Sequence, residues 1–270
     1  MKINEAKSKI RNSHFGKKSK KLLNEWINHE SIGGVGMGLF EVPPVIERAK
    51  GSYLYDCEGK EYLDFLSGFS VSALGNNNEE ITKIIIDQSQ KLTHYFDFPH
   101  PERIKLAHKL CDISGIKGKN SVIFGVTGSD AIELAIRVAR YYTGKPYILT
   151  AHGDYHGVTY GTMGLTTKGG MHPYFHPARP NMDVGYFPFP HPYRKPNDKY
   201  PGYDINSLRI FQQTLEGKET VYTDGLHNIN NVAAILVEPF QSSAGYYIPP
   251  KEYLKILREI ADRHGMLLIV

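Results

Sequence analysis

From residue 120 onward, short apolar runs alternate with longer stretches of helical spacing, and this pattern limits the folds open to the chain. Ser121–Val126, Tyr147–Thr150, Val232–Val237 and Met266–Val270 read as strands, and Ala131–Tyr142 and Lys251–His264 read as helices. Strands apolar on both faces and separated by helices belong to a parallel sheet covered on both sides. The expected class is α/β. No apolar run approaches the roughly 20 residues that a membrane-spanning helix needs. A chain of 270 residues that is 41% hydrophobic and 22% charged is neither disordered nor fibrous.

Upstream, residues 52–65 alternate around an Asp56–Lys60 turn containing Gly59 and predict a hairpin. Ile81, Ile84, Ile85, Gln88 and Leu92 predict a helix within 79–95, and Ile104, Leu106, Ala107 and Leu110 predict another over 101–112. Residues 171–203 hold eight of the sixteen prolines and fit neither element. They are expected to form a long loop that is functional or lies over another subunit. His172 and His176 stand four apart, but Pro173 and Pro177 break the helix a metal pair would need, so no metal site is expected.

Residues 1–21 carry eight basic residues against Glu5 alone, which leaves the rest of the chain net acidic. Without interleaved aromatics this head is expected to be a solvated or frayed terminus, and nucleic-acid binding is not expected. The isolated Cys57 and Cys111 fit a reducing compartment. The first residues lack a signal-peptide core, and the expected location is cytoplasmic.

Three polar segments fall where strands end. Thr127-Gly128-Ser129-Asp130 opens a helix whose first N–H groups lack internal partners, a place suited to phosphate. An ordinary helix cap, with Asp130 in the first turn, is the plainer alternative. Gly153-Asp154-Tyr155-His156-Gly157 follows the strand at 147–150, at the edge where open α/β sheets bind ligands. Glu238-Pro239-Phe240-Gln241 follows the strand at 232–237, which Pro239 ends.

The order Thr-Gly-Ser-Asp-Ala, Tyr-His-Gly, Val-Glu-Pro-Phe-Gln and Met-Leu-Leu-Ile-Val resembles the class III aminotransferases from about Phe40 onward. That resemblance implies pyridoxal 5'-phosphate as cofactor and the fold type I large domain, incomplete, over residues 76–270. Residues 1–75 would then form a basic head and the hairpin segment of the small domain. It implies that Thr127, Gly128 and Ser129 hold the cofactor phosphate, that Tyr155 stacks on the pyridine ring and that His156 is also a cofactor-binding residue. Glu238 and Gln241 would lie near the cofactor, and Phe69 in the substrate pocket. Val158 stands where acetylornithine-type members carry arginine, and Ser243 where ornithine-type members carry a second glutamate. Asn76-Asn77-Asn78 replaces a His-containing turn. These departures point towards the branch handling 4-aminobutyrate, β-alanine, or alanine with glyoxylate.

The family's catalytic lysine and the aspartate opposite the pyridine nitrogen are both expected beyond Val270, so no catalytic residue is assigned within the chain. Lys168 is not expected to substitute, and Met266–Val270 is expected to be a central strand. The chain is therefore expected to be a fragment, inactive alone, with a second chain as one possible source of the remainder. The expected reaction moves an amino group from an amino acid or ω-amine donor to a 2-oxo acid, in a homodimer. A racemase or epimerase, or an inactive truncated relative acting as a binding protein, are the alternatives.

Overall fold

The computed structural model describes residues 3–30, 41–167, 183–191, 208–209, 212–213 and 229–270. The chain divides into two compact units, Met1–Ile104 and Lys105–Val270.

In the first unit the basic head is folded. Helices α1 (Ile3–Asn12) and α2 (Lys17–His29) pack around Ala6, Ile10, Phe15, Leu23 and Ile27. The expected frayed terminus is thus corrected. Its apolar positions recur four apart on each helix, a signal that the charge run overshadowed. The carboxylate of Glu58 ties this pair to the hairpin, accepting from the N–H groups of Gly16 (2.9 Å) and Lys18 (3.1 Å) at the start of α2. Negative charge is favoured at that end of a helix.

The hairpin is present as β2 (Tyr53–Asp56) and β3 (Glu61–Leu63), and β1 (Ile46–Lys50), which the sequence did not announce, adds antiparallel to β2. Asn76, Asn77 and Asn78 each have separate work. Asn76 exchanges backbone hydrogen bonds with Gly51, and the Asn77 amide reaches the Ala49 carbonyl. Asn78 caps α3 (Glu79–Lys91) by accepting from the N–H groups of Glu80 and Ile81. Helix α4 (Pro101–Ile113) follows.

In the second unit, four parallel strands run in the order β5–β4–β6–β7: β4 Tyr147–Ala151, β5 Val184–Phe187, β6 Val232–Leu236 and β7 Leu267–Ile269. Helix α5 (Gly128–Thr143) covers one face, with Ile136 and Ala139 packed against Ile148, Ala234 and Leu236. Helix α6 (Tyr253–His264) covers the other, setting Tyr253, Leu257, Ile260 and Ala261 against Leu149, Ile235 and Val237. Burial on both faces explains why β6 carries no polar residue.

Three expectations change. Residues 171–203 are not a continuous loop, because Val-Gly-Tyr-Phe at 184–187 pairs with β4 and the prolines at 188 and 190 lie just past its end. The His172–His176 pair and Lys168 lie outside the described residues. Ser121–Val126 is not a strand: it has no ladder partner among the described residues, and Ile123 and Val126 are exposed. Apolar composition alone does not make a strand when no neighbouring strand lies alongside to complete a ladder. Met266–Val270, expected at the sheet centre, contributes the edge strand β7 among the four described. Among the described residues no helix is long and apolar enough to cross a membrane.

The hairpin makes a testable pH signature. Asp56 accepts from the N–H groups of Glu58 and Lys60 and from the Tyr62 hydroxyl at 2.9 Å. Burial pushes its carboxyl up, but these bonds and the Lys60 charge outweigh it and leave the carboxyl below its ordinary value. Burial, then the bond to Asp56, pushes the Tyr62 phenol up to about 12. Stability from Tyr62 is therefore fully present below pH 10, the ordinary phenol value, and is lost as pH rises through about 12. Stability from Asp56 is present above its ordinary value and is lost as pH falls through the lowered one. In urea-midpoint profiles, Tyr62→Phe is expected to flatten the alkaline limb and Asp56→Asn the acid limb.

Candidate functional site

Strands β4 and β6 are adjacent and parallel, with Thr150 opposite Leu236, so the loops that follow them leave from the same edge. Each loop satisfies the other. Asp154 is fully buried; its carboxylate accepts from the Gln241 amide at 2.8 Å and from the Glu238 N–H at 3.3 Å. The same Gln241 nitrogen donates to the His152 carbonyl at 2.7 Å. In return Glu238 accepts from the Tyr155 N–H at 2.8 Å, and its other oxygen accepts from the Ser242 N–H and hydroxyl. A buried carboxylate is tolerable only when it is hydrogen-bonded in this way.

This clasp sorts the expected site residues. The Tyr155 side chain stays 36% exposed while its backbone is fixed by Glu238. The His156 ring turns inward, with Nε2 at 3.0 Å from the Thr150 hydroxyl and 3.4 Å from Asp154. Its N–H donates to the Thr166 hydroxyl at 3.0 Å. Gln241 is buried, and its side chain packs so closely on Gly153 that a Cβ there would lie 2.6 Å from the amide oxygen.

At the start of α5, Thr127 accepts from the Asp130 N–H at 3.1 Å, and Asp130 accepts from the Val126 N–H at 2.9 Å. This is a reciprocal cap. Among the described residues the N–H groups of Gly128 and Ser129 have no acceptor. A Cβ on Gly128 would meet nothing within 4 Å, so the Cα of Gly128 faces open space. Ser129 faces the other loop: a Cβ on Gly157 would lie 2.0 Å from its hydroxyl and 2.9 Å from that of Thr162. Gly157 also holds φ +108°, which side-chain-bearing residues avoid. The helix start and the Tyr155 loop are thereby joined.

The structure brings together Ser129, Tyr155, His156, Glu238 and Gln241, with Thr127 and Gly128 at the same helix start. Phe69 belongs to the first unit, where it is exposed on a tight turn at φ 62°. Sequence reasoning passed over Asp154, Thr150 and Thr166. Asp154 stood inside the quoted Gly153–Gly157 segment, but nothing local marks it as buried. Tyr253 was also passed over. It is fully buried on α6, and its hydroxyl has no partner among the described residues. Burial, then the charges of Asp154 and Glu238, hold its phenol well above the ordinary value. Among the described residues no group of three His, Cys, Asp or Glu side chains could hold a metal ion.

A parallel sheet covered by helices on both faces, with a helix start and an exposed tyrosine at the edge where its strands end, is the layout of α/β domains that bind ligands at that edge. Residues 39–270 match the family model described as aminotransferase class-III, and the chain belongs to that family. It is 37% identical over 233 residues to a leucine/methionine racemase of Thermococcus litoralis, covering 84% of this chain and 50% of the relative. It is 32% identical to an acetylornithine aminotransferase of Methanocaldococcus jannaschii, with 84% and 50% coverage. An amine transaminase from an uncultivated Pseudomonas species, solved in its PLP-bound form, superposes with TM-score 0.74 at 27% identity, covering 88% of this chain and 54% of that one. The fold is that of the fold type I pyridoxal-phosphate enzymes. The chain spans about half the length of these relatives.

Two substitutions test the clasp. Gly157→Ala is expected to cost about 2 kcal/mol or more, through strain at positive φ and overpacking against Ser129. Asp154→Ala leaves one hydrogen of the Gln241 amide and the Glu238 N–H without an acceptor and is expected to cost about 1–3 kcal/mol. Urea unfolding at neutral pH reads both.

Proposed function

We propose that this chain holds the phosphate and ring of pyridoxal 5'-phosphate in an enzyme that moves an amino group from an amino acid or ω-amine donor to a 2-oxo acid. One observation carries the reading: two unpartnered N–H groups at the start of α5, beside the open space at the Gly128 Cα and packed through Gly157 against the loop that presents Tyr155. A phosphate fits that place because helix-start N–H groups and the helix dipole favour an anion there. Gly128 keeps the approach clear, and the hydroxyls of Thr127 and Ser129 supply further donors.

Tyr155 offers its ring face to the pyridine, and Glu238 fixes the height of that ring by holding the Tyr155 backbone. His156 and Gln241 act from behind, as positioning residues, through Thr150, Asp154 and the His152 carbonyl. When bound, the cofactor supplies an electron sink that makes the Cα–H of an attached amino acid acidic. The residues assigned here orient that group; none is assigned the proton transfer. Phe69 is carried as a substrate-pocket residue on the resemblance alone.

A second reading, racemisation or epimerisation of an amino acid, is favoured by the 37% identity to the racemase of Thermococcus litoralis. Both reactions begin by removing the same proton. They separate on the fate of the nitrogen. With holoenzyme from the native source, amino-group transfer requires a 2-oxo acid and yields a new amino acid. Racemisation converts one enantiomer into the other with no acceptor present.

Glycine substitutions test the cofactor site independently of turnover. Gly128→Ala is expected to leave the urea midpoint unchanged, since its Cβ meets nothing, while weakening pyridoxal-phosphate binding about tenfold by placing a methyl group in the open space beside the helix start. Tyr155→Ala is expected to weaken it by a similar factor through lost ring stacking. Absorbance titration of the cofactor reads both, and unchanged affinity in both variants would overturn the assignment.

A further inference from the structure

The match to the family model begins at residue 39, so the helix pair α1–α2 stands before it. The basic residues of this pair fall into two groups. Lys9 pairs with Glu5 at 3.3 Å, Lys18 with Glu47 at 3.1 Å, and Lys21 with Glu25 at 3.9 Å. Lys7 and Arg11, by contrast, meet no carboxylate among the described residues. Lys20 donates to the Arg11 carbonyl at 3.0 Å, which brings its ammonium across to α1.

These three cations converge on a cleft of about 600 Å³ whose remaining lining is Asn4, Ser8 and Asn24. Among the described residues no acidic and no aromatic side chain lines it. On α1, residues 4, 7, 8 and 11 follow one helical stripe, and 20 and 24 follow one on α2. The apolar seam of Ala6, Ile10, Leu23 and Ile27 fixes the two backbones beside them. Three like charges held around one cleft repel one another unless an anion neutralises them.

We infer that this cleft binds a compact polyphosphate group, either free or as the tail of a nucleotide. The Arg11 guanidinium offers a planar fork suited to phosphoryl oxygens, the two lysines add mobile ammonium donors, and the flanking amides and hydroxyl add neutral ones. A nucleic-acid strand would need cations tracking along its backbone and aromatic rings for its bases. Outside the cleft, Lys9, Lys18 and Lys21 each face a glutamate, and Lys17 is the one lysine of the two helices left without a carboxylate there among the described residues, so no track of unpaired cations leads away from the cleft.

The test is calorimetric titration of the whole chain with inorganic tripolyphosphate at low salt, repeated with a nucleoside triphosphate and with single-stranded RNA of increasing length. Saturable binding of one tripolyphosphate, weakened about tenfold or more by Lys7→Gln with Arg11→Gln and by raised salt, is expected. Lys9→Gln and Ser129→Ala are expected to leave it intact. Equal affinity for the nucleoside triphosphate means that the phosphates alone are read, and tighter affinity means that the nucleotide is the ligand; both uphold the site. Absence of binding, indifference to the Lys7/Arg11 pair, loss in Ser129→Ala alone, or affinity that climbs with RNA length would overturn it. Circular dichroism of the variants checks that α1 and α2 remain folded.

Discussion

The arrangement of the second unit depends on one buried carboxylate. Asp154 sits just past β4 with no exposure to water, and it is satisfied by groups that belong to the loop after β6. Glu238, just past β6, answers by holding the backbone of the loop after β4. Neither loop could keep its shape alone, because each would leave buried donors or acceptors unpaired at a cost of about 1–3 kcal/mol apiece. Parallel pairing in a fixed register makes the exchange possible, since it brings both strand ends to one edge at the same height.

From that clasp the rest of the site follows by exclusion. Gln241 spends both amide hydrogens and presses on Gly153, and His156 spends Nε2 on Thr150 and Asp154. What remains turned outward is the Tyr155 ring, and across the Gly157 contact, the start of α5 with its two unanswered N–H groups. The site therefore has an inner layer in which Asp154, Gln241 and His156 are engaged with one another and with the backbone, and an outer layer whose helix-start N–H groups are not engaged.

How much of this the sequence revealed depended on the range of the forces involved. β4 and β6 were legible because burial on both faces demands unbroken apolar runs, and the helix Gly128–Thr143 because Ile132, Ile136 and Ala139 keep a helical stripe. The hairpin was legible through Gly59 and alternation. Strand β5 was hidden because prolines crowd its flanks, and Ser121–Val126 misled because composition reports apolarity but not the presence of a neighbouring strand. Tyr155 and Glu238 could be picked out because they follow apolar strands, and Thr127 and Gly128 because they open a helix. Asp154 could not, since its importance lies in contacts 84 and 87 residues away in the chain, to Glu238 and Gln241. The helix pair at 3–29 was obscured by its charge, although Ala6, Ile10, Leu23 and Ile27 recorded the seam in plain four-residue spacing.

The two anion-attracting places in this molecule work on different physical terms, and that difference bears on what each can do. At α5 the attraction comes from backbone N–H groups and a helix dipole, which are fixed in direction, carry no net charge and gain strength where water is excluded. Such a site holds a single phosphate at one angle, as is required if a ring attached to that phosphate must lie flat beside Tyr155. Between α1 and α2 the attraction comes from whole charges on long side chains, which adapt in position, weaken with salt and favour the ligand with most negative charge. Orientation is the strength of the first site and charge counting that of the second. On the assignments proposed above, a cofactor that must be aligned is matched to α5, and a multiply charged anion that need only be present is matched to the cleft between the first two helices.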